Sequence, residues 1–139
     1  MCHVLIIEDE WLIADYIEHL AHDAGATSVE ITDCEWDAVR SAQGKRPELI
    51  LSDVNLRVGT GPGAVATIQA EFGPIPVIFI TATPNECVPR QILSVVLTKP
   101  LNALEFAAAF GRLVPNTNAD YALGARVAQQ DSMGKKPRN

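Results

Sequence analysis

Long apolar runs are missing: no stretch of the 139 residues approaches the roughly 20 needed to cross a bilayer. The N-terminus also lacks the basic, then apolar, then small-residue order of a secretory leader, so a cytoplasmic chain with no membrane partner is expected. Cysteine is scarce. Cys2, Cys34 and Cys87 are odd in number, far apart and without a C-x-x-C pair, so neither a disulfide framework nor a zinc site is indicated. Positive charge is thin as well: residues 1–114 hold 15 Asp and Glu against 7 Lys and Arg, whereas 115–139 hold 2 against 4. An acidic body repels the phosphate backbone, and direct nucleic-acid binding is not expected. Internal repeats and low-complexity segments are absent too.

What is present suits one globular domain with a proper core, and not two domains, with 47% hydrophobic and 20% charged residues. Short β-branched runs with little alternation, His3 to Ile7, Leu49 to Leu51, Val77 to Ile80 and Val95 to Leu97, read as buried parallel strands. Ser28 to Ile31 alternates as an edge strand does, with Val29 and Ile31 expected inward and Glu30 outward. Between the strands, Leu12, Ile13, Tyr16, Ile17, Leu20 and Ala24 share one helical face, and Gly25 stands where a C-terminal cap belongs. Thr32 and Glu35 have capping-box spacing for a second helix ending at Gly44. Val65, Ile68 and Phe72 mark a third ending at Gly73, and Asn102 with Glu105 opens a last one burying Phe106, Phe110 and Leu113. Alternating strands and helices at this pitch imply βαβ crossovers and an α/β fold, a three-layer α/β/α sandwich. The tail from Pro115 to Asn139 is poor in apolar residues and reads as disordered or at most a short helix.

Four strand ends carry polar groups. The first strand runs into Glu8, Asp9 and Glu10, the third into Asp53, the fourth into Thr81 and the fifth into Lys99. Open α/β sheets bind ligands at the carboxyl edge of their strands. If the first and third strands are neighbours, Glu8, Asp9 and Asp53 converge. Two carboxylates ~4 Å apart repel by about 4 kcal/mol at an effective dielectric near 20, which calls for a bound cation or proton, and oxygen ligands suit magnesium. Taken singly, each residue has a plainer role: the acids favour the dipole of a helix N-terminus, Asp53 suits a turn, Thr81 a strand end and Lys99 a solvated surface. Jointly, a hydroxyl and an ammonium facing a carboxylate cluster suit a phosphoryl group, whose oxygens need donors and positive charge. Pro100 biases Lys99 towards an extended backbone, and a cis bond there is a second option. Gly59, Gly61 and Gly63 lack the Lys-Ser/Thr ending of a phosphate loop and read as a flexible entry to the third helix.

In order, VLIIEDE, LILSDVNL, VIFITAT and LTKPL resemble the receiver domains of bacterial two-component response regulators, over residues 3 to about 113. The resemblance implies a flavodoxin-like receiver fold over 1–114 with five parallel strands in the order 2-1-3-4-5. It further implies that Asp53 becomes an aspartyl phosphate, and that Asp9, Asp53 and the Asn55 carbonyl ligate Mg2+ while Glu8 acts through water. Lys99 would pair with Asp53 and then the phosphoryl group, and Thr81 with a phosphoryl oxygen. Asn55 and Thr83 occupy positions that in the resembled family influence phosphoryl loss. The implied partners are a histidine kinase or a histidine phosphotransfer protein, with a downstream protein target. The 25-residue tail is too short for an output domain, though the protein could continue beyond Asn139.

Two features depart from the family. Val96 stands where many members carry the aromatic of the switch, and only 17 residues separate Thr81 from Lys99. With Pro89 among them, a helix there is expected to be short or absent, as in an atypical receiver subgroup that includes receivers of general stress signalling. Without the aromatic, more of the about 5.5 kcal/mol needed to invert a 1:99 equilibrium falls to the Thr81 loop, and 82–93 becomes the expected partner-reading segment. A phosphorylation-silent binding module is the alternative these departures favour. A magnesium-dependent phosphatase is weaker, since Asp53-Val54-Asn55 lacks the second acid of a D-x-D motif.

Overall fold

The structure, a computed structural model, describes residues 2–84 and 94–114. Strands β1 (His3–Ile7), β2 (Ser28–Thr32), β3 (Leu49–Ser52), β4 (Val77–Thr81) and β5 (Ser94–Thr98) form one parallel sheet of order β2-β1-β3-β4-β5. Helices α1 (Trp11–Ala24), α2 (Glu35–Gly44), α3 (Gly61–Phe72) and α4 (Ala103–Leu113) cover it, the expected flavodoxin-like receiver fold. The helix weighed between Thr81 and Lys99 and the tail from Pro115 lie outside the described residues.

Both sheet faces are covered, which is why β1, β3 and β4 are buried end to end and apolar on both sides. The period of two sorts them into two cores. Val4, Ile6, Leu49, Leu51, Ile78 and Ile80 meet α1 and α4, with Phe106 fully buried and its ring 6.0 Å from that of Phe110. Leu5, Ile7, Ile50, Val77 and Phe79 meet α2 and α3. Val96 packs against this second core, half-buried.

Helix ends follow local chemistry. Gly25 (φ 121°) closes α1 by donating to Ala21 and His22, Thr60 Oγ1 caps α3 by accepting from Gly63 N–H, and Asn102 caps α4 by accepting from Glu105 N–H. Four expectations are corrected. Cys34, not Thr32, is the N-cap of α2, because Thr32 still belongs to β2 and its hydroxyl donates to the Ile6 carbonyl. Leu12 and Tyr16 are exposed: the α1 stripe that packs is Ile13, Ala14, Ile17, Leu20, Ala21 and Ala24, a face centred on Ala14, Ile17 and Ala21. Ile31 is 42% exposed, since an edge strand leaves its far end uncovered. The glycine run is no loose loop either, as Gly61 is buried and Gly61 and Gly63 lie inside α3.

Candidate functional site at the carboxyl edge

Register brings the polar strand ends together. Ile7 pairs with Ser52 and Thr81 with Thr98, so Glu8 and Asp53, and likewise Thr81 and Lys99, emerge side by side. The backbone bonds continue one step past the strands, Asp53 N–H donating to Ile7 and Lys99 N–H to Thr81, both at 2.9 Å. Lys99 precedes Pro100 through a cis peptide bond.

The side chains then meet. Lys99 Nζ lies 3.3 Å from Glu8 Oε1 and 3.3 Å from Asp53 Oδ2. Glu8 is 2% exposed, and burial first, then the Asp53 charge, pushes its carboxyl above the ordinary carboxylate range against the opposing pull of Lys99. Burial works against the Lys99 charge, but Glu8 and Asp53 more than offset it and hold the ammonium above its usual value. Asp53 Oδ1 accepts from Val54 N–H and Asp9 Oδ2 from Arg57 N–H, each at 2.7 Å. Glu10 is exposed and contributes only its N–H, which donates to Glu8 Oε2 at 3.2 Å.

One oxygen from each of Glu8, Asp9 and Asp53 lies within 4.8 Å of the others. Hard carboxylate donors, partly open to water and without soft ligands, fit magnesium, which keeps several waters and takes one or two carboxylates. Thr81 Oγ1 is 3.2 Å from Thr83 Oγ1 and accepts from Thr83 N–H, while Asn55 Nδ2 donates to Thr83 Oγ1 at 3.3 Å. The hydroxyl therefore faces Thr83, and Asn55 is tied to the same relay. An open groove of about 640 Å³ leads from Glu8 and Asp9 past the exposed Trp11 and Ile31 to Asp37 and Arg40.

Four further residues shape the site without having been singled out for it. Ser52 donates its hydroxyl to the Asp53 carbonyl at 2.7 Å, Arg57 supplies the amide for Asp9, and Glu35 accepts from Thr60 N–H. Gly61 sits so close to Asp53 that a Cβ there would overlap the Asp53 carbonyl oxygen. The glycine run was the one visible sign of that approach.

The family model for the response regulator receiver domain matches residues 4–110. The chain belongs to that family. Over 84 residues this receiver is 43% identical to the phyllosphere-induced regulator PhyR of Methylorubrum extorquens, a match covering 59% of the chain and 31% of PhyR. The anti-anti-sigma factor PhyR of Bartonella quintana superposes with a TM-score of 0.72 at 36% identity, over 87% of this chain and 51% of that one. The receiver domain of the sensor histidine kinase PA1611 of Pseudomonas aeruginosa, solved with magnesium in its active-site cleft, gives 0.72 at 28% identity over 83% and 98%. This receiver thus spans about a third of the curated PhyR relative and about half of the Bartonella PhyR structure. No described helix is long and apolar enough to cross a membrane.

Proposed function

We propose that this receiver takes a phosphoryl group onto Asp53 from a histidine kinase or a histidine phosphotransfer protein and passes the signal on by protein contact. The carrying observation is the carboxylate trio of Glu8, Asp9 and Asp53 with Lys99 Nζ 3.3 Å from two of its members. Asp9, Asp53 and the Asn55 carbonyl would hold magnesium, with Glu8 acting through a water. Bound there, the ion would neutralise the oxygens of the phosphoryl group in transfer.

The chain's own residues do the rest. An Asp53 carboxylate oxygen attacks phosphorus, the new O–P bond forms as the donor's N–P bond breaks, and the electron pair stays on the imidazole nitrogen. Lys99, already between Glu8 and Asp53, follows the growing negative charge. Thr81 exchanges its Thr83 contact for a phosphoryl oxygen, and that exchange is the switch, with Val96 filling the place of the aromatic. PhyR of Bartonella quintana is described as an anti-anti-sigma factor, which supports output through a protein partner.

Intact mass after incubation with acetyl phosphate and magnesium tests the reading. One acid-stable, hydroxylamine-labile phosphoryl group in the wild type and none in Asp53→Asn is the expected result. No gain in the wild type, with no shift on adding beryllofluoride, overturns it in favour of a phosphorylation-silent binding module.

A further inference from the structure

We propose that Glu35 is a positioning residue for the magnesium and phosphoryl site, acting through the 53–61 loop; the proposal rests on the Asp53 reading above. Glu35 is the first residue of α2, yet no side chain caps that helix, and its own carboxylate reaches outward to the neighbouring loop. Its Oε1 accepts from Thr60 N–H at 3.1 Å and its backbone N–H donates to the Val58 carbonyl at 3.3 Å. The two bonds straddle Gly59, whose φ of 80° favours glycine.

The seat is shaped for this carboxylate. A Cβ at Gly59 would lie 2.6 Å from Glu35 Oε1, and one at Gly63 would lie 3.0 and 3.1 Å from its two oxygens. Two glycines therefore leave free the space that one side chain fills. The carboxylate also meets the first turn of α3, where the helix dipole favours negative charge.

The opposite side of the same loop carries the site. Arg57 N–H orients Asp9 Oδ2, Asn55 forms an antiparallel bridge with Thr60, and Gly61 N–H donates to Val54 while its Cα lies against the Asp53 carbonyl. Val58 and Thr60, held by Glu35, are thus one residue from Arg57, bridged to Asn55, and adjoining Gly61. Removing the carboxylate releases Thr60, while the backbone bond to Val58 stays, and so loosens the loop that carries the amide aiming Asp9 and the backbone that would present the Asn55 carbonyl. A purely structural brace would change stability and leave magnesium binding alone.

Magnesium titration of the full chain, followed by backbone amide shifts, separates the two. Glu35→Ala should raise the half-saturating magnesium concentration by about tenfold, the scale seen when partners behind metal ligands are removed. Glu35→Gln keeps an acceptor oxygen for Thr60 and should recover most of the affinity. Thr60 and Arg57 amides should exchange faster in metal-free Glu35→Ala. Gly63→Ala gives a second route should Glu35→Ala fail to fold: its methyl would fall 2.8 Å from Thr60 Oγ1 and 3.0 and 3.1 Å from the Glu35 oxygens, crowding the pair that holds the loop, and affinity should fall in the same direction. Wild-type affinity in both variants overturns the role of Glu35 alone, whereas a wild type that binds no magnesium and takes no phosphoryl group overturns the Asp53 reading and this role together.

Discussion

Strand β1 starts on one buried titratable side chain and runs into another just past its end, His3 at 7% exposure and Glu8 at 2%, and the two are treated in opposite ways. His3 is pushed towards its neutral form. Burial first, then the nearby Lys45, hold its pKa below the usual value, Nδ1 meets Ser28 Oγ at 2.7 Å, and Nε2 has no partner among the described residues. Glu8 has Asp53 beside it and a lysine brought in to face both. A group that can go neutral needs one hydrogen bond, whereas a cluster that keeps its charges needs a counter-ion. The amino end of the sheet is therefore ordinary structure, and the carboxyl end holds electrostatic strain that a cation or a phosphoryl group can relieve.

The comparison breaks most easily at Gly61. A methyl there overlaps the Asp53 carbonyl oxygen, and Gly61→Ala should cost about 2–4 kcal/mol in urea unfolding and abolish phosphorylation. Gly111→Ala is its control. Inside α4, where a Cβ would meet nothing within 4 Å, the same change should stabilise by about 0.5–1 kcal/mol. Equal effects at the two positions would show that the loop does not press on Asp53.

Lys99→Met comes next, leaving Glu8 and Asp53 facing each other without the ammonium. Removing one partner from a partly buried ion cluster should lower stability by about 1–3 kcal/mol without metal. Added magnesium should restore much of that, because the cation takes over the neutralising role. A variant as stable as the wild type in metal-free buffer would mean the carboxylates are already neutralised by a proton.

How far this contrast could be read from the chain depends on the kind of interaction. The strands, the helix positions and the strand-end placement of Glu8, Asp9, Asp53 and Lys99 follow from apolar runs and strand-end residues, which are local signals, whereas the 2-1-3-4-5 order that gathers those ends came only with the family resemblance, because strand pairing is non-local. Thr81 stands where expected, but its partner is Thr83, since hydroxyl direction depends on loop geometry that no periodicity encodes. Thr32 and Glu35 have the spacing of a capping box, yet one more residue of β2 carries Thr32 out of reach and frees Glu35 for Thr60. Leu12 and Tyr16 are apolar at helical spacing and still exposed, because the buried face of α1 is centred on the small Ala14 and Ala21 with Ile17 between them. Side-chain size across an interface decided that face, and it is invisible along one helix.

A subtler test reverses the sign of a stability effect. With its folded pKa raised above 4.5, Glu8 contributes stability that is fully present below pH 4.5 and lost as pH rises through the folded value. Glu8→Gln removes that loss and keeps an acceptor for Glu10 N–H. In metal-free buffer near neutral pH it should stabilise by about 1 kcal/mol, and the gain should shrink towards acid. Magnesium affinity should fall at the same time, the trade expected where an acid is retained for binding and not for folding. Destabilisation by Glu8→Gln would place Glu8 in the same class as His3, a structural polar group.

The smallest expected effect lies at the other end of the strand. His3, faced by Ser28 and Glu30 of β2, by Lys45 after α2 and by Glu48 before β3, has a folded pKa below 6.5. Its contribution is therefore present above pH 6.5 and lost as pH falls through the folded value, the mirror image of Glu8. Unfolding in urea at about pH 7.5 and about pH 5.5 should show the wild type losing up to about 1 kcal/mol more than His3→Val over that interval. Valine suits a fully buried strand and removes both the proton and the unpartnered Nε2, so the acid-side loss should disappear while phosphorylation at Asp53 is unchanged. If His3→Val kept the wild-type slope, Glu30 and Glu48 would be holding a charged ring at this end as well, and the two ends of β1 would differ only in the sign of the charge they bury.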